Sequence, residues 1–98
     1  MRSEIEDFIK WVNVNGLNSY ISTHIDDING MTHLDLSKKK IRELPESFGV
    51  LQNLTVLKLS NNRLKKLPNC IGEFKYLKNL QCENNLLSEI PSTIGKLS

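Results

Sequence analysis

Residues 54–76 read LTVLKLSNNRLKKLPNCIGEFKY, and this stretch decides the fold. In Leu57-Lys58-Leu59 apolar and polar side chains alternate, as a half-buried strand requires. Pro68 then stops the chain from continuing as a strand, since it has no N–H to donate. Gly72 permits a tight return on the far side. The same pattern stands one row upstream, MTHLDLSKKKIRELPESFGVLQN at residues 31–53, and one row downstream, LKNLQCENNLLSEIPSTIGKLS at residues 77–98.

The period is 23 residues and the columns agree throughout. Met31, Leu54 and Leu77 open the rows; Leu34, Leu57 and Leu80 follow, then Leu36, Leu59 and Cys82. Ile41, Leu64 and Leu87 precede Leu44, Leu67 and Ile90, and each row then carries a proline, an apolar residue and a glycine. Self-similarity at a fixed period is the mark of a repeat architecture. Short strands separated by one full repeat must run parallel.

These residues resemble the leucine-rich repeat, whose LxxLxLxxNxLxxLPxxIGxLxx form is matched almost letter for letter over residues 31–98. The LPxxIG half is similar to the intracellular class found in Ras-associated scaffold proteins, plant relatives and several bacterial effectors. The resemblance implies an α/β fold: a right-handed solenoid with a short parallel sheet on its concave face. It also implies that Asn62 and Asn85 point inward and bond the turn backbones of adjacent coils as a ladder. Lys39 stands in that column in the first row. A lysine ammonium cannot be buried unpaired without heavy desolvation cost. The first coil is therefore expected to be distorted or splayed there, with the ladder starting at the second. Cys82 reads as a small buried hydrophobe and Cys70 as an exposed thiol.

A solenoid exposes raw core at its ends, and residues 1–30 suit an N-terminal helical cap. Ser3 and Glu6 form a capping box, and Ile5, Phe8, Ile9 and Val12 lie on one helical face. Gly16 fits the stop. Leu17, Ile21, Ile25 and Ile28 predict a second helix, with Asn29-Gly30 turning into the first strand. Phe8 and Trp11 fall in register with the repeat, and so do Ile21, Ile25 and Ile28. Trp11 lies off the main stripe and is expected to be partly exposed. The domain organisation is thus a cap at 1–30 and repeats at 31–53, 54–76 and 77–98. The chain stops at Ser98, one residue short of completing its third row, with no segment to cover the last coil. That predicts a longer array or self-association through the uncapped C-terminal coil.

Ninety-eight residues allow one small domain. A net charge of +2 falls far short of a dedicated nucleic-acid binder. The charge is uneven: two cations against five acids in residues 1–30 give −3, and eleven against six in residues 31–98 give +5. No apolar run approaches the ~18 residues of a membrane span, and no signal peptide is visible. Cys70 and Cys82 make neither a disulfide framework nor a metal spacing. The expected location is the cytoplasm, or a host cell for an effector delivered without a signal peptide.

Catalysis needs a nucleophile with its base, a metal cluster or a phosphate cradle, and the chain carries no motif for any of them. No enzyme activity and no cofactor are expected. What remains is surface. The outward columns of the sheet hold His33, Val56 and Asn79, then Asp35, Lys58 and Gln81, then Ser37, Ser60 and Glu83, with Thr32, Thr55 and Lys78 beside them. A mixed panel of this kind suits an unidentified protein partner; the plainer alternative is a solvated strand surface. Just past the strands runs a basic flank, with Lys40 and Arg42 in register with Arg63 and Lys65. It is either a solvated face or a match for an acidic patch on a partner. Nucleic acid is disfavoured, because no aromatic side chain lies within the stripe for stacking. Two rival readings stay open: the substrate-recognition part of a larger enzyme, such as a ubiquitin-ligase-type effector, and a structural spacer.

Overall fold

The first helix, α1 (Arg2–Val14), buries Phe8 and Val12 completely and half-buries Ile5 and Ile9, the residues of its apolar stripe. The computed structural model describes residues 2–88. The helix already includes Arg2, so Ser3 lies inside its first turn and not ahead of it. Its other end is built as the sequence predicts. Gly16 adopts φ +66°, a left-handed backbone that glycine takes without steric cost. The Gly16 N–H bonds the Asn13 carbonyl at 3.2 Å and the Leu17 N–H bonds the Val12 carbonyl at 2.9 Å. These are the paired bonds of a Schellman stop, and the buried side chains of Leu17 and Val12 complete it.

The second helix is shorter than its periodicity predicts. The Leu17 carbonyl accepts both the Tyr20 and the Ile21 N–H at 2.9 Å, closing a turn. The chain then extends to α2 (Ile25–Gly30). Ile21 and Ile28 are buried as their register with the repeat requires, but Ile25 is 55% exposed at the start of the helix. Asn29 and Gly30 end α2 and form no separate turn.

Three short strands follow: β1 (His33–Asp35), β2 (Val56–Lys58) and β3 (Asn79–Gln81). They form one parallel sheet in the order β1-β2-β3, each residue paired with the one 23 positions on: Leu34 with Leu57, and Leu57 with Leu80. The spacing of the sequence repeat is therefore the register of the sheet. Each of the first two coils returns through a 3₁₀ turn, at Glu46–Val50 and Asn69–Glu73, entered directly from Pro45 and Pro68. The apolar columns face one another between sheet and 3₁₀ turns. Leu36, Leu51, Leu54, Leu57, Leu59, Leu64 and Ile71 are fully buried there.

The N-terminal segment joins this same core. Phe8 meets Phe48 of the first 3₁₀ turn edge-on, with ring centroids 5.9 Å apart. Trp11 stands perpendicular to the same Phe48 ring at 6.1 Å. Such edge contacts add about 0.5–1.5 kcal/mol to the burial itself. On this side adjacent coils approach closely: a Cβ at Gly49 would sit 3.2 Å from Cys70 Cβ. Gly49 is there for space, since its φ is not left-handed. Of Leu80, Cys82, Leu87, Ile90, Ile94 and Leu97, on which the bare C-terminal edge is expected, Ile90, Ile94 and Leu97 lie outside the described residues.

Candidate functional site

Because side chains alternate along a strand, the residues flanking the buried leucines all leave the sheet on its open face. His33, Val56 and Asn79 form one rung, and Asp35, Lys58 and Gln81 the other. His33, Asp35 and Asn79 are exposed; Val56, Lys58 and Gln81 are half-buried. The His33 Nδ1 lies 3.0 Å from the Thr32 hydroxyl. The Asp35 carboxylate accepts the Ser37 N–H at 2.9 Å. That bond, helped by the Ser37 hydroxyl and then by the charges of Lys58 and Lys39, outweighs slight burial and lowers its pKa below the ordinary carboxylate value. The third rung differs from the expectation. Ser60 is only 7% exposed, and its hydroxyl has no partner among the described residues. Ser37 is half-buried and Glu83 alone is open. The panel narrows at the turn because the chain has begun to curl over the core.

Beneath that rung the asparagines bridge the coils. The Asn62 side-chain oxygen accepts the N–H groups of Lys39 and Ile41, each at 3.0 Å. Its amide nitrogen donates to the carbonyls of Leu36 and Leu59, each at 2.9 Å. Asn85 repeats the arrangement one coil on, accepting the Leu64 N–H and donating to Leu59 and Cys82. Lys39 takes no part with its side chain. Its ammonium sits 3.7 Å from the centre of the Tyr20 ring, outside the coil. The first turn is distorted, with left-handed backbone at both Lys38 and Lys40, where the next two turns have it only at Asn61 and Asn84. It is not splayed, since the first two strands pair as fully as the second two.

Lys40, Arg42, Arg63 and Lys65 are all exposed and line an open groove of about 940 Å3. The opposite wall comes from the end of α1, with Trp11, Val14 and Asn15, and Leu86 continues the cationic column of Lys40 and Arg63. None of the six sheet-face residues lines this groove. Sequence reasoning placed no aromatic residue beside the basic stripe, and the structure brings Trp11 there. The signal was the register of Phe8 and Trp11 with the repeat, which sets α1 over the first coil.

Cys70 is half-buried against Gly49 and is not an exposed thiol. Burial first, then the nearby Glu46 and Glu73 carboxylates, push its pKa up to about 12. Cys82 is half-buried too, its thiol raised mainly by burial. Neither has the lowered pKa of a nucleophile. Among the described residues, no group of three His, Cys, Asp or Glu side chains is placed to hold a metal ion. Among them, too, no helix is long and apolar enough to cross a membrane.

The family model for the leucine-rich repeat region matches residues 8–98, and the chain belongs to that family. Its parallel sheet and 3₁₀ returns are the α/β leucine-rich-repeat fold. Among solved structures it is similar to a leucine-rich-repeat protein of Leptospira interrogans, at 42% identity and a TM-score of 0.68 over 70% of this chain. The match spans 18% of that protein's length. No curated protein matches the sequence significantly. Leucine-rich repeats generally act as protein-interaction modules and are generally not catalytic.

Proposed function

We infer that the chain is a non-enzymatic binding module that meets its protein partner on the open face of the sheet. The observation that carries this reading is the register of the two rungs. It sets an imidazole, an aliphatic side chain and an amide beside a carboxylate, an ammonium and a second amide, on a rigid three-strand platform. Val56 and Lys58 sit at the centre of that platform, half-buried between neighbours. Central, partly desolvated contacts of this kind carry most of the energy of an interface, while the rim adds little. Asp35 keeps its charge through its bond to Ser37, so the platform presents fixed charges of both signs.

The test is affinity capture from native lysate with the unmodified chain and with a Val56→Glu/Lys58→Glu variant. The expected result is one partner, retained by the first and lost by the second, with circular dichroism confirming that the variant folds, since both side chains leave the sheet on its open face. Retention by both would move the contact off the sheet.

A further inference from the structure

We propose that the groove between the end of α1 and the first two turns is a second binding site, independent of the sheet face. Its ligand is an acidic peptide segment that inserts an aliphatic or aromatic side chain. The charge comes first. Lys40 and Arg63, and Arg42 and Lys65, hold the same columns of neighbouring coils and line the same groove. The turns are held in that alignment by the Arg63 N–H, which bonds the Ile41 carbonyl at 2.8 Å. Like charges placed opposite one another in a ladder repel, and none of these four forms an ion pair with a described residue. Among the described residues Glu43 is the one acid on the groove wall. A ligand's carboxylates would complete pairs that the described residues leave open.

The apolar part sets the shape of the ligand. Val14 is 74% exposed and Leu86 59% exposed, and both line the groove with the half-buried ring of Trp11. Large apolar side chains gathered beside unpaired cations are not a solvated face. They fit a chain segment that alternates carboxylates with a hydrophobic anchor. A nucleic acid fits less well. Glu43 opposes a phosphate backbone, and the Trp11 ring is engaged by Phe8 and Phe48 at 6.3 and 6.1 Å.

Trp11 is the chain's single tryptophan, so its fluorescence reports on the groove directly. The probe is a short synthetic peptide of alternating Glu and Leu, titrated into the full chain. The expected result is a saturable change in Trp11 emission whose affinity falls as salt rises, since the Debye length shrinks from about 10 Å at 0.1 M to about 3 Å at 1 M. A Lys40→Glu variant should bind more weakly and Lys40→Glu/Arg63→Glu at least about tenfold more weakly, while Lys75→Glu, charge-matched to the single reversal and outside the groove lining, should bind as the parent does. Circular dichroism of each variant checks that it folds. A peptide with Ser in place of Leu should lose most of the affinity. Equal binding of the Ser peptide, or no effect of the double reversal, overturns the site. So does tighter binding of oligothymidylate through the same two cations, which makes the groove a nucleic-acid site. Failure of the peptide together with salt-sensitive self-association in sedimentation also overturns it, by giving the groove to a second copy of the chain.

Discussion

The first turn, Lys38-Lys39-Lys40-Ile41, and the second, Asn61-Asn62-Arg63-Leu64, occupy the same columns one repeat apart, yet their central side chains go opposite ways. Asn62 turns inward and bonds backbone groups of both coils. Lys39 turns outward onto Tyr20. The difference shows that the asparagine is a fitting between coils and not a need of each coil. The first turn draws its bonds from Asn62, one coil later. Among the described residues no strand precedes β1 to share an asparagine placed at 39. The first turn carries a cost in return, with two lysines in left-handed backbone. The second turn uses Asn61, a residue type that tolerates this conformation well.

Exchanging the central residues is the strongest way to break this comparison. Asn62→Lys should cost more than about 3 kcal/mol, because it strips bonds from buried backbone groups and pushes an ammonium toward the core. The reverse change, Lys39→Asn, should cost less than about 1 kcal/mol, the worth of the exposed contact with Tyr20. Urea unfolding of both variants measures the contrast; equal losses would make Lys39 as structural as Asn62.

A smaller effect sharpens the account of strain. Lys38→Asn, which gives the first turn the residue that the second has, should raise stability by about 0.5–1 kcal/mol. A drop in the denaturation midpoint would show that the Lys38 side chain has a specific role.

The smallest effect belongs to the other meeting of the same two coils, where Cys70 packs against Gly49. The thiol's pKa is raised on folding from 9.0 to about 12. The unfolded chain therefore loses this proton first. The stability tied to the thiol is complete below pH 9 and falls as the pH climbs from there toward 12. Replacing Cys70 with Ala should flatten that slope. An unchanged slope would assign it to tyrosines and lysines, with Cys70 more open than its packing against Gly49 indicates.

Most of the fold was legible because a repeat states its own register. Each apolar column was read three times, so Leu34, Leu57 and Leu80 identified one another as sheet residues without any tertiary information. The open face followed by alternation alone. The departures came where one copy stood without a partner copy. Ile25 matched Phe48 in register, yet the chain between Tyr20 and α2 extends, and the side chain is left in solvent. Ser60 was expected to face outward with Ser37 and Glu83 but is buried, because exposure at a turn depends on how sharply the backbone curls. Cys70 stood in a variable column, and only the contact with Gly49 showed it to be half-buried.

The sequence by itself determined the coils and the parallel pairing, and its resemblance to the repeat family implied the inward asparagines. Periodicity is local information, and hydrophobic spacing with proline and glycine punctuation expresses it completely. Only the tertiary structure decided where Lys39 goes, and that the end of α1 closes one side of the basic flank. Both depend on the approach of residues from about 20 to more than 50 positions apart; the register of Phe8 and Trp11 with the repeat sets α1 over the first coil, but not how their rings pack on Phe48. Packing of that kind is a matter of shape and leaves no period to read.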